Sequence, residues 1–112
     1  MTLEKIDYNG NPAGYVTEPN EVVNYVENHD NHTLFDLNAF RLPLNTSKED
    51  RARVQLLGLA HTALSQGVAY FHAGVDLMRS KSFDQNSYDS GDWFNRIDWA
   101  GQTNYFATGL PL

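Results

Sequence analysis

The chain contains no cysteine. Disulfides, zinc–thiolate centres and cysteine nucleophiles are therefore excluded; the compartment stays open, because exported proteins can also lack cysteine. Basic residues are scarce too. Eight Lys and Arg stand against 14 Asp and Glu, for a formal net charge of -6 and a pI near 4.9. Such a chain lacks the basic face that releases counterions from a nucleic acid, so no nucleic-acid partner is expected. It is equally unsuited to an anionic membrane surface. No stretch reaches the ~20 apolar residues of a membrane segment. The N-terminus shows no basic-then-apolar leader pattern.

What is present is 112 residues, one ordinary domain by length. At 41% hydrophobic residues the chain is too apolar for a disordered segment. Six Tyr, six Phe and two Trp occur, many of them in the polar C-terminal third, where core packing alone would not concentrate them.

Residues 1–20 are rich in Gly, Asn and Pro and read as loop. "EVVNYVEN" then brings Val22, Val23, Tyr25 and Val26, a run that reads as a strand buried on both faces, as in parallel sheets. "TLFDLNAFRLPLN" holds a short apolar segment that Pro43 keeps brief. "TSKEDRARVQLLGLAHTALSQG" is the strongest helix. Thr46 with Glu49, or Ser47 with Asp50, can form a capping-box-like start, and acidic residues fill the first turn. Ala52, Leu56, Leu59 and Ala63 fall on one stripe, Gly67 follows the end, and Gly58 inside the helix points to close packing. "GVAYFHAG" reads as a second buried strand. Strand, helix, strand makes a βαβ unit with parallel pairing. From Arg79 onward the sequence has little periodicity and reads as a long, ordered, functional loop.

Each expected strand ends in polar chemistry: His29 and Asp30 after the first, His72 after the second. In parallel α/β folds ligands bind at such strand ends. "HDNH" admits three readings. His29, Asp30 and His32 are suitable metal ligands, although they lack the i, i+4 spacing of zinc-protease helices. The same Asn and Asp could simply satisfy loop backbone. Thirdly, the Asp30 carboxylate beside His29 could stabilise an oxocarbenium-like transition state, with Trp93, Phe94 and Trp99 offering flat faces to a sugar ring.

"EVVNYVENHDNHTLFD" resembles the fourth conserved region of the alpha-amylase superfamily of glycoside hydrolases, closest to its debranching branch, the pullulanases and limit dextrinases. "SQGVAYFHAGVDLMRSKSFDQNSYDSGDWFNRIDW" is similar to that branch's eighth-strand segment and following loop, and "DYNGNPAGY" and "NYFATGLPL" also fit it. The resemblance implies an α/β fold, part of a (β/α)8 TIM barrel: strand seven, helix seven, strand eight and the long loop beyond. It implies retaining hydrolysis of α-1,6-glucosidic branch linkages in pullulan, starch or glycogen-derived dextrins. Asp30 matches the family's transition-state stabiliser and His29 its substrate-binding His. Asp92 and Arg96 match positions near the cleaved bond, with Trp93 between them. His32 and Val75 depart from the residues usual in relatives at their positions.

The family's nucleophilic Asp and acid/base Glu are expected upstream of Met1, as is any signal peptide; bacterial relatives are often secreted or periplasmic. "NRID" mimics the nucleophile's Arg-x-Asp spacing but follows the wrong strand. A full barrel takes ~250 residues. The chain is thus expected to be a fragment of a larger α-glucan hydrolase, inactive and poorly stable alone. No cofactor is required, although the acidic loops could hold calcium, as in some relatives. A non-catalytic carbohydrate-binding piece and a small metal-dependent hydrolase built on His29, Asp30 and His32 remain as alternatives.

Overall fold

The computed structural model describes residues 3–108, so the last four residues of "NYFATGLPL" lie outside the described part. Within "DYNGNPAGY", β1 (Asp7–Tyr8) pairs antiparallel with β2 (Asn11–Pro12). Asn9 and Gly10, at φ 53° and 82°, form the two-residue left-handed turn that suits the twist of a hairpin. The stretch expected to be loop therefore contains a small hairpin.

β3 (Val23–Asn24) pairs parallel with β4 (Val68–Ala69), Val23 opposite Val68. α1 (Leu34–Arg41) and α2 (Lys48–Leu64) form the connection between them. α1 starts at Thr33, whose hydroxyl accepts from the Asp36 amide at 3.2 Å. It stops before Pro43, which excludes helical geometry at Leu42. α2 is capped by Ser47, whose Oγ accepts from the Asp50 amide at 3.1 Å; Glu49 and Asp50 occupy the first turn, where the helix dipole favours them. The two helices pack at Gly58. A Cβ there would lie 2.8 Å from Leu34 Cδ2.

The parallel pair with its helical crossover is present, but the barrel expectation is corrected. The described residues hold two helices and two sheets of two strands each, with no barrel and no closed ring of strands. Closure needs a continuous staggered sheet, and each pairing here spans two residues per strand. The strands are not buried on both faces either. Val23, Tyr25, Val68 and Phe71 are about half exposed, because nothing among the described residues covers them. On α2, Leu56 and Ala63 of the expected apolar stripe are exposed, and Gln55 and Thr62 are buried instead.

Val75 is the one buried hydrophobic residue among those described. The interior is otherwise polar: Glu27, Thr33, Asp36, Gln55, Thr62, Arg79, Ser80, Lys81, Ser82 and Ser87. Such groups tolerate burial only when hydrogen-bonded, so the fold of the C-terminal half follows its polar partners.

Candidate functional site

The site begins where β3 ends. Glu27 is buried, and its Oε2 accepts from the Leu34 amide at 2.6 Å while Oε1 lies 2.9 Å from His72 Nδ1. One carboxylate thus ties the segment after β3 to the start of α1 and to the segment after β4. Asn28 Oδ1 accepts from the Asp30 amide at 2.9 Å, and Asn31 turns the chain at φ 59°. The Asn31 amide donates to the Gln85 carbonyl at 3.2 Å. This turn throws the His29 and Asp30 side chains outward, 77% and 67% exposed, with Nε2 and Oδ2 3.6 Å apart. Asp30 lines an open groove of about 240 Å³ with Tyr25, Glu27 and His32. Its carboxylate accepts no hydrogen bond from any described residue.

Asp36 does the opposite. Fully buried, it accepts from Ser80 Oγ at 2.5 Å, the Lys81 amide at 2.8 Å and the Phe83 amide at 3.3 Å. Lys81, 1% exposed, then sends Nζ to the His29 carbonyl and to Ser87 Oγ, both at 3.1 Å. Burial pushes the Lys81 ammonium below the usual lysine range; neighbouring Arg79 adds to this, and Asp84, Glu27 and Asp36 oppose it. The long loop is thereby fastened to α1 and to the backbone that carries His29.

A 3-10 turn at Asp92–Phe94 presents the next group. The Arg96 guanidinium lies 3.7 Å from the ring centroids of both Trp93 and Tyr105, held between the two faces. Trp93 remains 51% exposed. The Asp92 side chain is exposed and, like that of Asp30, accepts no hydrogen bond from a described residue. Asn95 anchors the turn: its Nδ2 donates to the Ser87 carbonyl at 2.9 Å and the Gly91 carbonyl at 3.2 Å, and its Oδ1 accepts from Arg79 Nη2 at 3.2 Å.

The structure therefore places His29 beside Asp30, and Trp93 against Arg96. Among the described residues no direct hydrogen bond or ion pair joins the two groups; Lys81, Ser87 and Asn95 connect them. The metal reading is corrected: no three His, Asp or Glu residues among those described are grouped to hold an ion. His32 instead stacks edge-on against Phe40, with ring centroids 5.3 Å apart. Asp98 of "NRID" accepts from the Thr103, Ala100 and Gln102 amides, at 3.0, 2.9 and 2.8 Å, and so closes its own loop. Trp99 lies apart from Trp93, lining an apolar cleft of about 550 Å³ with Leu56, Ala63 and Phe71. Sequence reasoning missed Glu27, Asp36, Arg79, Lys81 and Asn95. Polar residues inside apolar or aromatic stretches were the available signal.

No family model matches the chain. It is 49% identical over 107 residues to the pullulanase of Klebsiella aerogenes, which spans 96% of this chain and 10% of that protein. It is 44% identical over 108 residues to the chloroplastic pullulanase 1 of Arabidopsis thaliana, 96% of this chain and 11% of that protein. The crystal structure of Klebsiella pneumoniae pullulanase complexed with maltotriose superimposes with a TM-score of 0.87 at 47% identity, over 95% of this chain and 10% of that one. The chain spans about a tenth of the length of the relatives it matches. Over nearly its whole length it is homologous to one segment of the pullulanases.

Proposed function

We propose that this chain supplies the transition-state-stabilising corner of a retaining glycoside hydrolase of the alpha-amylase superfamily. The linkage cleaved is the α-1,6-glucosidic branch point of pullulan and of starch- or glycogen-derived dextrins. The observation that carries the reading is the contrast between aspartates. Asp36 and Asp98 spend their oxygens on the protein's own donors. Asp30 keeps its carboxylate open in the loop after β3, on a turn held by three hydrogen bonds, Asp30 to Asn28, Asn31 to Gln85 and Lys81 to His29. A carboxylate held that way, desolvated once a sugar is seated, favours the positive charge that develops at the anomeric centre. His29 would donate to a sugar hydroxyl. Trp93 would offer its exposed face to a ring, and Asp92 and Arg96 would orient the units beside the cleaved bond. The maltotriose held by the Klebsiella pneumoniae relative supports an oligosaccharide as ligand.

Retention also takes a nucleophilic carboxylate and an acid/base carboxylate about 5–5.5 Å apart. In this reading both belong to the parts of a pullulanase that this chain does not span. A chimera tests it: this chain replaces the homologous segment of the Klebsiella aerogenes enzyme. Pullulan cleavage is expected from the chimera and none from the 112-residue chain alone. A folded chimera without debranching activity would sink the reading.

A further inference from the structure

We propose that Arg79 is a positioning residue: through His72 and Glu27 it ties the turn that carries Asp92, Trp93 and Arg96 to the strand end that carries His29 and Asp30. The inference rests on the reading that these two groups share one substrate.

The chain of contacts is continuous. Glu27, two residues before His29, meets His72 Nδ1 at 2.9 Å. With that nitrogen donating to the carboxylate, His72 Nε2 is left as an acceptor, and Arg79 Nη1 lies 3.5 Å from it. Arg79 Nη1 also reaches the Ala73 carbonyl at 3.4 Å, and Nη2 donates to Asn95 Oδ1 at 3.2 Å. Asn95 sits next to Arg96, and its amide closes the 3-10 turn by donating to the Asp92 carbonyl at 3.0 Å. Glu27 and Arg79 are 5% and 6% exposed, so the inner links are shielded from water, while Asn95 at the far end is exposed.

Two details fix the guanidinium. The Arg79 stem packs on Gly74, where a Cβ would lie 2.9 Å from Arg79 Cδ. Its Nε is buried without a hydrogen-bond partner, so the fork is held by its two terminal nitrogens alone. A planar fork can engage His72 and Asn95 together; a lysine ammonium is a point charge and cannot reproduce that span. Burial pushes the Arg79 guanidinium below its ordinary range, and the nearby carboxylates of Glu27 and Asp36 oppose that shift. Arg79 therefore transmits the position of β3 and β4 to the turn that faces the sugar.

The test is Arg79→Lys in the chimera with the Klebsiella aerogenes enzyme, read by amide hydrogen exchange. Exchange across residues 91–96 should quicken about ten-fold or more, as for the loss of a charge-assisted hydrogen bond. Exchange in α2 should stay as in the unsubstituted chimera. Unchanged exchange at 91–96 would overturn the proposal. So would an equal rise in α2, which reports general destabilisation. In the chimera the same variant should lower kcat/KM about ten-fold or more while thermal stability holds, and full activity would overturn the proposal. An inactive unsubstituted chimera would count against the functional reading, and the exchange measurement then decides the role of Arg79 alone.

Discussion

The Val22 carbonyl accepts a hydrogen bond from the Val68 amide at 2.8 Å, and this contact sets the register of the parallel pair. Gly67 lets the chain reach it. Its φ is +116°, and a Cβ there would lie 2.7 Å from the Val22 carbonyl oxygen. Gly67→Ala thus combines a disfavoured backbone conformation with a collision against backbone, which cannot swing aside. A loss of about 2–4 kcal/mol in urea unfolding is expected. An unchanged midpoint would contradict this account of the register.

Asp36 organises the start of the long loop through Ser80, Lys81 and Phe83. Asp36→Ala leaves these donors buried and unpaired and removes a nearby countercharge from Lys81. The expected cost is about 3 kcal/mol, against about 1 kcal/mol for Ser80→Ala. Because the two side chains share one hydrogen bond, the double variant should lose less than the sum. Strict additivity in denaturant unfolding would contradict the shared network.

These residues show what was legible in the sequence and what was not. α2, its Ser47 cap and the close packing at Gly58 follow from local rules, and all are present. So is the parallel pairing of β3 and β4. Asn9-Gly10 is a hairpin signal that a bare loop assignment passed over. The barrel segment was read from resemblance, and apolar strand composition alone led to the expectation of burial, which depends on neighbours. Asp36 and Ser80 meet across 44 residues, and Glu27 and His72 across 45. Spacing in one sequence carries no trace of such pairs. Asp30 and His29 were legible as candidates because strand-end chemistry has a local pattern; the network that holds their turn was not.

Asp98 makes a pH prediction. Its hydrogen bonds from the Thr103 and Ala100 amides, with a smaller one from Gln102, hold its carboxyl below the ordinary value of 3.8, slightly opposed by desolvation. A folded value below the unfolded one means that the unfolded chain binds more protons. The contribution to stability is then complete above about pH 4 and is lost as pH falls through the folded value. Asp98→Asn should therefore lower stability at neutral pH, and the gap between variant and parent should close in acid. A gap that widened on acidification would contradict this sign.

The most direct test of the central claim is Asp30→Asn in the chimera with the Klebsiella aerogenes enzyme, assayed on pullulan. Asp30 is exposed and accepts no hydrogen bond from the described protein, so the change should leave the unfolding temperature where it was. Turnover should fall by about two orders of magnitude or more, because a transition-state charge loses its partner. A chimera that kept near-normal turnover with asparagine at position 30 would remove Asp30 from the reaction and contradict the account.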